Sequence, residues 1–143
     1  MSKLIAIDPG NKKCGLLLAD LDKELVLDGR VVYHTAVIDL VKIWKSEDDL
    51  EGIILGNGTT SNYWLRLLKD LAPVQIVEER GTTFRARARY WELWPPGIWS
   101  SWLPRGLILP PTNLDAIAAL VLLEDHLCKK FEWQGTNNFK IWP

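Results

Sequence analysis

Cysteine and histidine are scarce in this chain. The two cysteines, Cys14 and Cys128, stand far apart with no CxxC or Cys/His spacing. That excludes a metal site of the zinc-finger kind and leaves both as buried thiols. His34 and His126 are isolated, without ligand spacing, and read as structural. No apolar run approaches the roughly 20 residues that span a membrane. Met1-Ser2-Lys3 leads directly into a strand and does not resemble a signal peptide, so a cytoplasmic protein with no membrane partner is expected. Charge of one sign is also missing. The net charge is −1, which argues against a polycation that grips nucleic acid non-specifically but leaves room for a local basic face. There is no internal repeat and no linker. The 143 residues are expected to form one domain with a buried core.

Tryptophan, by contrast, is plentiful. There are eight, and Trp91, Trp94, Trp99 and Trp102 fall close together. They sit in or beside a segment from about 94 to 111 broken by Pro95, Pro96, Pro104, Pro110 and Pro111. Long loops inside compact domains are usually functional or disordered, and the aromatics argue for an ordered one. Its tryptophans could stack unpaired bases, pack into the core or form a subunit interface, so a homodimer is one expectation.

Periodicity organises the rest. Residues 3–8 are an apolar strand that ends at Asp8, and Pro9-Gly10-Asn11 make a turn. Residues 14–20 and 24–33 read as two more strands, completing an antiparallel meander. Val37, Leu40, Val41 and Trp44 then share a helical face, with Thr35 as N-cap. Residues 52–56 are a wholly apolar strand of the kind buried in a parallel sheet. A helix follows over 63–71, then a strand over 74–77. Thr82 or Thr83 caps a helix through Trp91, and the most apolar helix runs from about Asn113 to Lys130. Residues 131–143 form an irregular tail. The order predicts an α/β fold: a five-stranded mixed sheet, antiparallel meander plus two parallel crossover strands, with helices on both faces.

Three acidic positions fall where such a sheet gathers its sites: Asp8, Glu78 or Glu79 after the fifth strand, and Asp115 in the first turn of the last helix. Converging carboxylates suit Mg2+ or Mn2+, which activate water and stabilise both oxygens of a phosphodiester displacement. Each acid also has an undistinguished alternative. Asp8-Pro9-Gly10 is a turn signature, Thr112 to Asp115 resembles a capping box, and Glu78-Glu79 could be a solvated strand end. Lys12 and Lys13 lie on the turn beside Asp8. Arg80, Thr82, Arg85 and Arg89 follow Glu79, and Arg85 and Arg89 share a helical face where they could hold phosphates or pair with acids. Asn57 to Ser61 form another strand-to-helix turn that could meet phosphate.

The runs Ile5-Ala6-Ile7-Asp8-Pro9-Gly10 through Gly15, Val77-Glu78-Glu79-Arg80-Gly81-Thr82-Thr83, and Leu114-Asp115-Ala116-Ile117-Ala118-Ala119 resemble three signature motifs. These are the motifs of the YqgF/RuvX proteins and their relatives, the RuvC Holliday-junction resolvases, of the RNase H-like superfamily. The resemblance covers nearly the whole chain outside 94–111 and the tail. It implies a metal-dependent nuclease with Asp8, Glu79 and Asp115 as catalytic metal ligands and Glu78 as the alternate for Glu79. On the YqgF side the implied substrate is structured RNA, the precursor of small-subunit ribosomal RNA; on the RuvC side it is branched DNA. The resolvases carry a further acid one helical turn after the last aspartate. Ala118 stands there, which favours the YqgF side. Where YqgF proteins usually read Gly-Leu-Pro, this chain has Gly56-Asn57-Gly58. An actin-like ATPase also opens with an acidic hairpin, but needs two such domains. A catalytically silent binding module is a further reading.

Overall fold

Alternation of side chains along the first strands decides how the layers stack. In β1 (Lys3–Pro9) Ile5 and Ile7 point to one face while Ala6 points to the other. In β2 (Lys13–Asp20) Cys14, Leu16 and Leu18 join the first face, and Leu17 and Ala19 the second. Both faces are therefore apolar and both must be covered. The computed structural model describes residues 2–97, 102, 104, 109–110, 112–134, 139 and 141–142.

β1 pairs antiparallel with β2, and β2 with β3 (Leu25–Tyr33), which makes the expected meander. The chain then crosses one face. A 3-10 turn over His34–Ala36 leads into α1 (Val37–Glu47), so Thr35 lies within that turn and is not the cap. Val37, Leu40, Val41 and Trp44 are buried on this face. β4 (Leu50–Gly56) returns parallel to β1. α2 (Ser61–Leu68) adds Trp64 and Leu68 to the same core, and β5 (Val74–Val77) pairs parallel with β4.

The opposite face is covered by α4 (Asp115–Leu127), whose residues from Ala116 through Glu124 are all buried. A helix that is apolar almost all round must be enclosed. The sheet lies on one side of it, and α3 (Thr82–Leu93) packs on the other through Ala86 and Tyr90. Gly81 stands at the start of α3 in a left-handed conformation (φ 58°), and neither Thr82 nor Thr83 acts as the cap. Thr112 does not cap α4 either; its Oγ1 accepts a hydrogen bond from the Phe139 N–H at 3.3 Å.

The five expected strands form in the order β5-β4-β1-β2-β3. The tail, expected to be irregular, extends the sheet. β6 (Glu132–Trp133) and β7 (Ile141–Trp142) both pair parallel with β3. Two-residue strands leave no periodic trace in a sequence, which is why the tail gave no signal. Trp133 covers Gly29 of β3, where a β-carbon would overlap its indole. Trp94 packs against Tyr90, Trp133 and Phe139. Trp94 is thus a packing residue, and Trp91 packs against Tyr90. Trp102 is exposed, whereas Trp99 and most of the 98–111 segment lie outside the described residues. Among the described residues no helix is long and apolar enough to cross a membrane.

Phe139 is buried in the core between α3, α4 and β3. Phe139→Ala should lower the free energy of unfolding by about 3–4 kcal/mol in urea denaturation. A loss below about 1 kcal/mol, the scale of a surface substitution, would mean that the tail is an appendage.

Candidate active site

Three neighbouring parallel strands, β5, β4 and β1, end at one edge of the sheet. Ligand sites in α/β sheets form beyond such carboxyl ends. Asp8 is the penultimate residue of β1, and its side chain points to the α4 face by alternation from Ala6. The hairpin after it is closed by Gly10 N–H donating to the Lys13 carbonyl at 2.9 Å. His34, expected to be structural, braces that hairpin. Its Nε2 lies 2.8 Å from the Gly10 carbonyl oxygen, and its ring stands edge-on to Trp64.

Gly15 faces Asp8 across the β1–β2 pair. α4 begins directly over that glycine, so close that a β-carbon at Gly15 would overlap the Asp115 carbonyl. This contact sets Asp115 beside Asp8. Glu79 comes from the far side. It lies two residues beyond Val77, which pairs with Gly56 of β4, and its carboxylate lies beside Gly56 and close to Gly58. The structure thus brings Asp8, Glu79 and Asp115 together. Glu78 points away: it is exposed and paired with Arg80 at 2.7 Å.

The electrostatics follow from this crowding. Asp8 is pushed up to about 9, first by burial, then by hydrogen bonding to Glu79 and by the charges of Glu79 and Asp115. Crowding by carboxylates away from water disfavours the charged form, so Asp8 keeps its proton. Glu79 Oε1 is nevertheless buried with no hydrogen-bond partner. Buried carboxylate oxygens without a donor are costly, and a cation between the acids would relieve both the orphaned oxygen and the repulsion. Among the described residues no three Asp, Glu, His or Cys side chains stand as a ready metal cage. The donor set fits a hard cation at Asp8 and Glu79, with Asp115 adding charge beside them. Cys14, next along β2, is a buried thiol pushed up to about 12, chiefly by desolvation, and so is inert as a nucleophile. Cys128, expected to be buried, is exposed at the end of α4.

The basic residues divide into two groups. Lys13 Nζ donates to Asn113 Oδ1 at 3.2 Å, and Asn113 in turn donates to the Phe139 carbonyl at 3.3 Å. Asn113 is a functional candidate that sequence reasoning missed; its position two residues before Asp115 was the available signal. Lys12 and Arg80 are exposed nearby in sequence, and Thr82 is buried at the start of α3. Arg85 and Arg89 are engaged elsewhere. Arg85 binds both carboxylate oxygens of Asp125, at 2.6 and 2.5 Å, and holds that carboxyl below the usual range. Arg89 binds both oxygens of Glu124 at 2.9 Å and the Phe131 carbonyl at 2.8 Å. Glu124 and Asp125 lie nine and ten residues after Asp115, about 14–15 Å further along the helix axis. The shared face of Arg85 and Arg89 therefore clamps α3 to α4.

No protein-family description matches the sequence, and no curated protein matches it. Solved structures do resemble it. A T. thermophilus RuvC in complex with a Holliday junction substrate aligns with a TM-score of 0.50 at 15% identity, covering 89% of this chain and 96% of that one. A further structure of Thermus thermophilus RuvC gives 0.44 at 12% identity over 94% of this chain and 84% of that one. The Aquifex aeolicus Ppx/GppA phosphatase gives 0.37 at 13% identity over 68% and 43%. The first likeness, with the sheet order, establishes an RNase H-like fold for this chain.

Two outcomes test the site as described. Asp8 holds its proton far above the model-peptide value of 3.8. Its folded form therefore binds more protons than the unfolded chain between about pH 4 and 9, and stability falls as pH rises through that window. In metal-free buffer at pH 8, Asp8→Asn should be more stable than wild type by at least about 1 kcal/mol, the worth of a one-unit shift. The gain should vanish towards pH 4; equal stabilities at pH 8 would contradict the carboxyl pairing. The side chains of Arg89 and Glu124 are only 11% and 9% exposed, so Arg89→Met leaves a buried charge unpaired. It should cost about 3–5 kcal/mol in chemical denaturation; a change within about 0.5 kcal/mol, typical of the surface, would return Arg89 to the pool of substrate contacts.

Proposed function

We propose that this chain is a divalent-metal-dependent nuclease that hydrolyses phosphodiester bonds in structured nucleic acid. The observation that carries the reading is the meeting of Asp8 and Glu79 with Glu79 Oε1 buried and unpartnered. Asp8 and Glu79 would hold Mg2+ or Mn2+, with Asp115 beside them. When bound, the ion supplies an activated water and stabilises charge on the attacking and leaving oxygens. The chain's own residues do the rest. Asp8 would have to give up its proton to hold the ion, so affinity should rise as pH rises. Lys13, steadied by Asn113, presents an ammonium to a phosphate beside the acids, with Lys12, Arg80 and Thr82 as further contacts. Arg85 and Arg89 contribute indirectly, by fixing α3 against α4.

Structured RNA is the favoured substrate, because Ala118 stands where a resolvase would carry another acid. By the resemblance in its motifs this would be precursor small-subunit ribosomal RNA, processed in the cytoplasm. Branched DNA is the second reading, favoured by the fold shared with a RuvC that was solved with a Holliday junction.

Cleavage of a structured RNA and of a four-way DNA junction, each with Mg2+ or Mn2+, separates these readings. Asp8→Asn and Glu79→Gln should each lose more than about 100-fold in rate, beyond the upper end for losing an outer-shell partner of a metal. Glu78→Gln should stay within about threefold, as befits an exposed ion pair. Retained cleavage in Asp8→Asn would sink the nuclease assignment. Binding without cleavage by wild type would make the chain a silent module.

A further inference from the structure

Asp8 lies near the end of β1 and Glu79 two residues beyond β5, and these strands are not neighbours. β4 lies between β1 and β5, so the two backbones are about 9–10 Å apart. Ile7 pairs with Leu55 and Gly56 with Val77, which places Gly56 between the ends of the two acid-bearing strands. A β-carbon at Gly56 would lie 2.5 Å from Glu79 Oε1, 3.1 Å from Glu79 Cδ and 3.0 Å from Leu122 Cδ1.

Backbone conformation does not account for a glycine here. Among the described glycines only Gly81 has a positive φ, and Gly56 sits in regular parallel pairing. Gly56 closes β4, and glycine in a strand often marks a site where another group approaches closely. The approaching group is the Glu79 carboxylate.

We propose that Gly56 is a positioning residue for the candidate site: its missing side chain is the floor across which Glu79 reaches Asp8. The inference rests on the nuclease reading only for its purpose, since the steric claim stands on the metal-free protein. A methyl group at 56 meets the flexible ends of Glu79 and Leu122, not backbone. The fold can therefore accept it while the carboxylate cannot keep its place. Asn57 N–H donates to the Val77 carbonyl at 2.8 Å, which ties the two strand ends together beside the glycine and limits how far they can part.

The test compares wild type, Gly56→Ala, Glu79→Ala and the double variant. In crystal structures of the metal-free proteins, Gly56→Ala should move the Glu79 carboxylate by about 1 Å or more, the distance needed to restore van der Waals contact. Mn2+ affinity, read by electron paramagnetic resonance, should fall about tenfold or more in Gly56→Ala, the effect of losing an outer-shell support. The alanine should add nothing in the Glu79→Ala background. A Glu79 carboxylate unmoved in Gly56→Ala, or losses that multiply in the double variant, would overturn the proposal. If Gly56→Ala fails to fold, a folded double variant supports the clash with Glu79, whereas two unfolded variants would assign the glycine to packing against Leu122 and overturn it. Wild type that binds no Mn2+ would instead overturn the nuclease reading, and the crystal comparison would still decide the role of Gly56.

Discussion

The close seating of α4 on the sheet is the constraint from which the site follows. Its first residue, Asp115, lies over Gly15 with no room for even a β-carbon between them. From there the helix buries Ala116 through Glu124 without interruption, so it cannot tilt away without exposing an apolar stretch. The absence of a side chain at Gly15 lets the strand backbone meet that of Asp115 and Ala116. A larger residue at Gly15 would lift the N-terminal end of α4 and carry Asp115 away from Asp8. α3 and its arginine clamps hold the helix down from the other side.

That seating creates an electrostatic cost. Asp8, Glu79 and Asp115 converge in a half-buried site where charge is poorly solvated, and Asp8 responds by keeping a proton far above the ordinary carboxylate range. Clusters of like charge destabilise a fold unless something compensates them, and perturbed titration of this kind gathers at functional sites. The unpartnered Glu79 oxygen points the same way. By contrast, the charges between α3 and α4, Arg85 with Asp125 and Arg89 with Glu124, are paired.

Much of this was legible in the sequence. The meander, both crossover strands and the four helices followed from period and turn residues, while Asp8, Glu79 and Asp115 were candidates from their places at element ends and from the motif resemblance. The misses have physical reasons. The sequence could not say that Thr112 serves Phe139 and not α4, because that bond joins residues 27 apart. The shared face of Arg85 and Arg89 was real, but its partners lie 40 and 35 residues further along the chain. A basic stripe reads alike whether it meets phosphate or a neighbouring helix. Trp94 and Trp133 were visible as aromatics, yet only the returning tail shows them packed together. The steric role of Gly56 carried no signal, since a glycine required for space looks like any glycine at a strand end.

The central claim is that Asp8 and Glu79 form a cation site in which Asp8 holds a proton when the site is empty. The most direct measurement is anomalous diffraction from crystals soaked in Mn2+ near neutral pH. The account predicts a manganese peak between the Asp8 and Glu79 carboxylates, on the Asp115 side. Manganese bound only elsewhere, with the two carboxyl groups still facing each other, would contradict it.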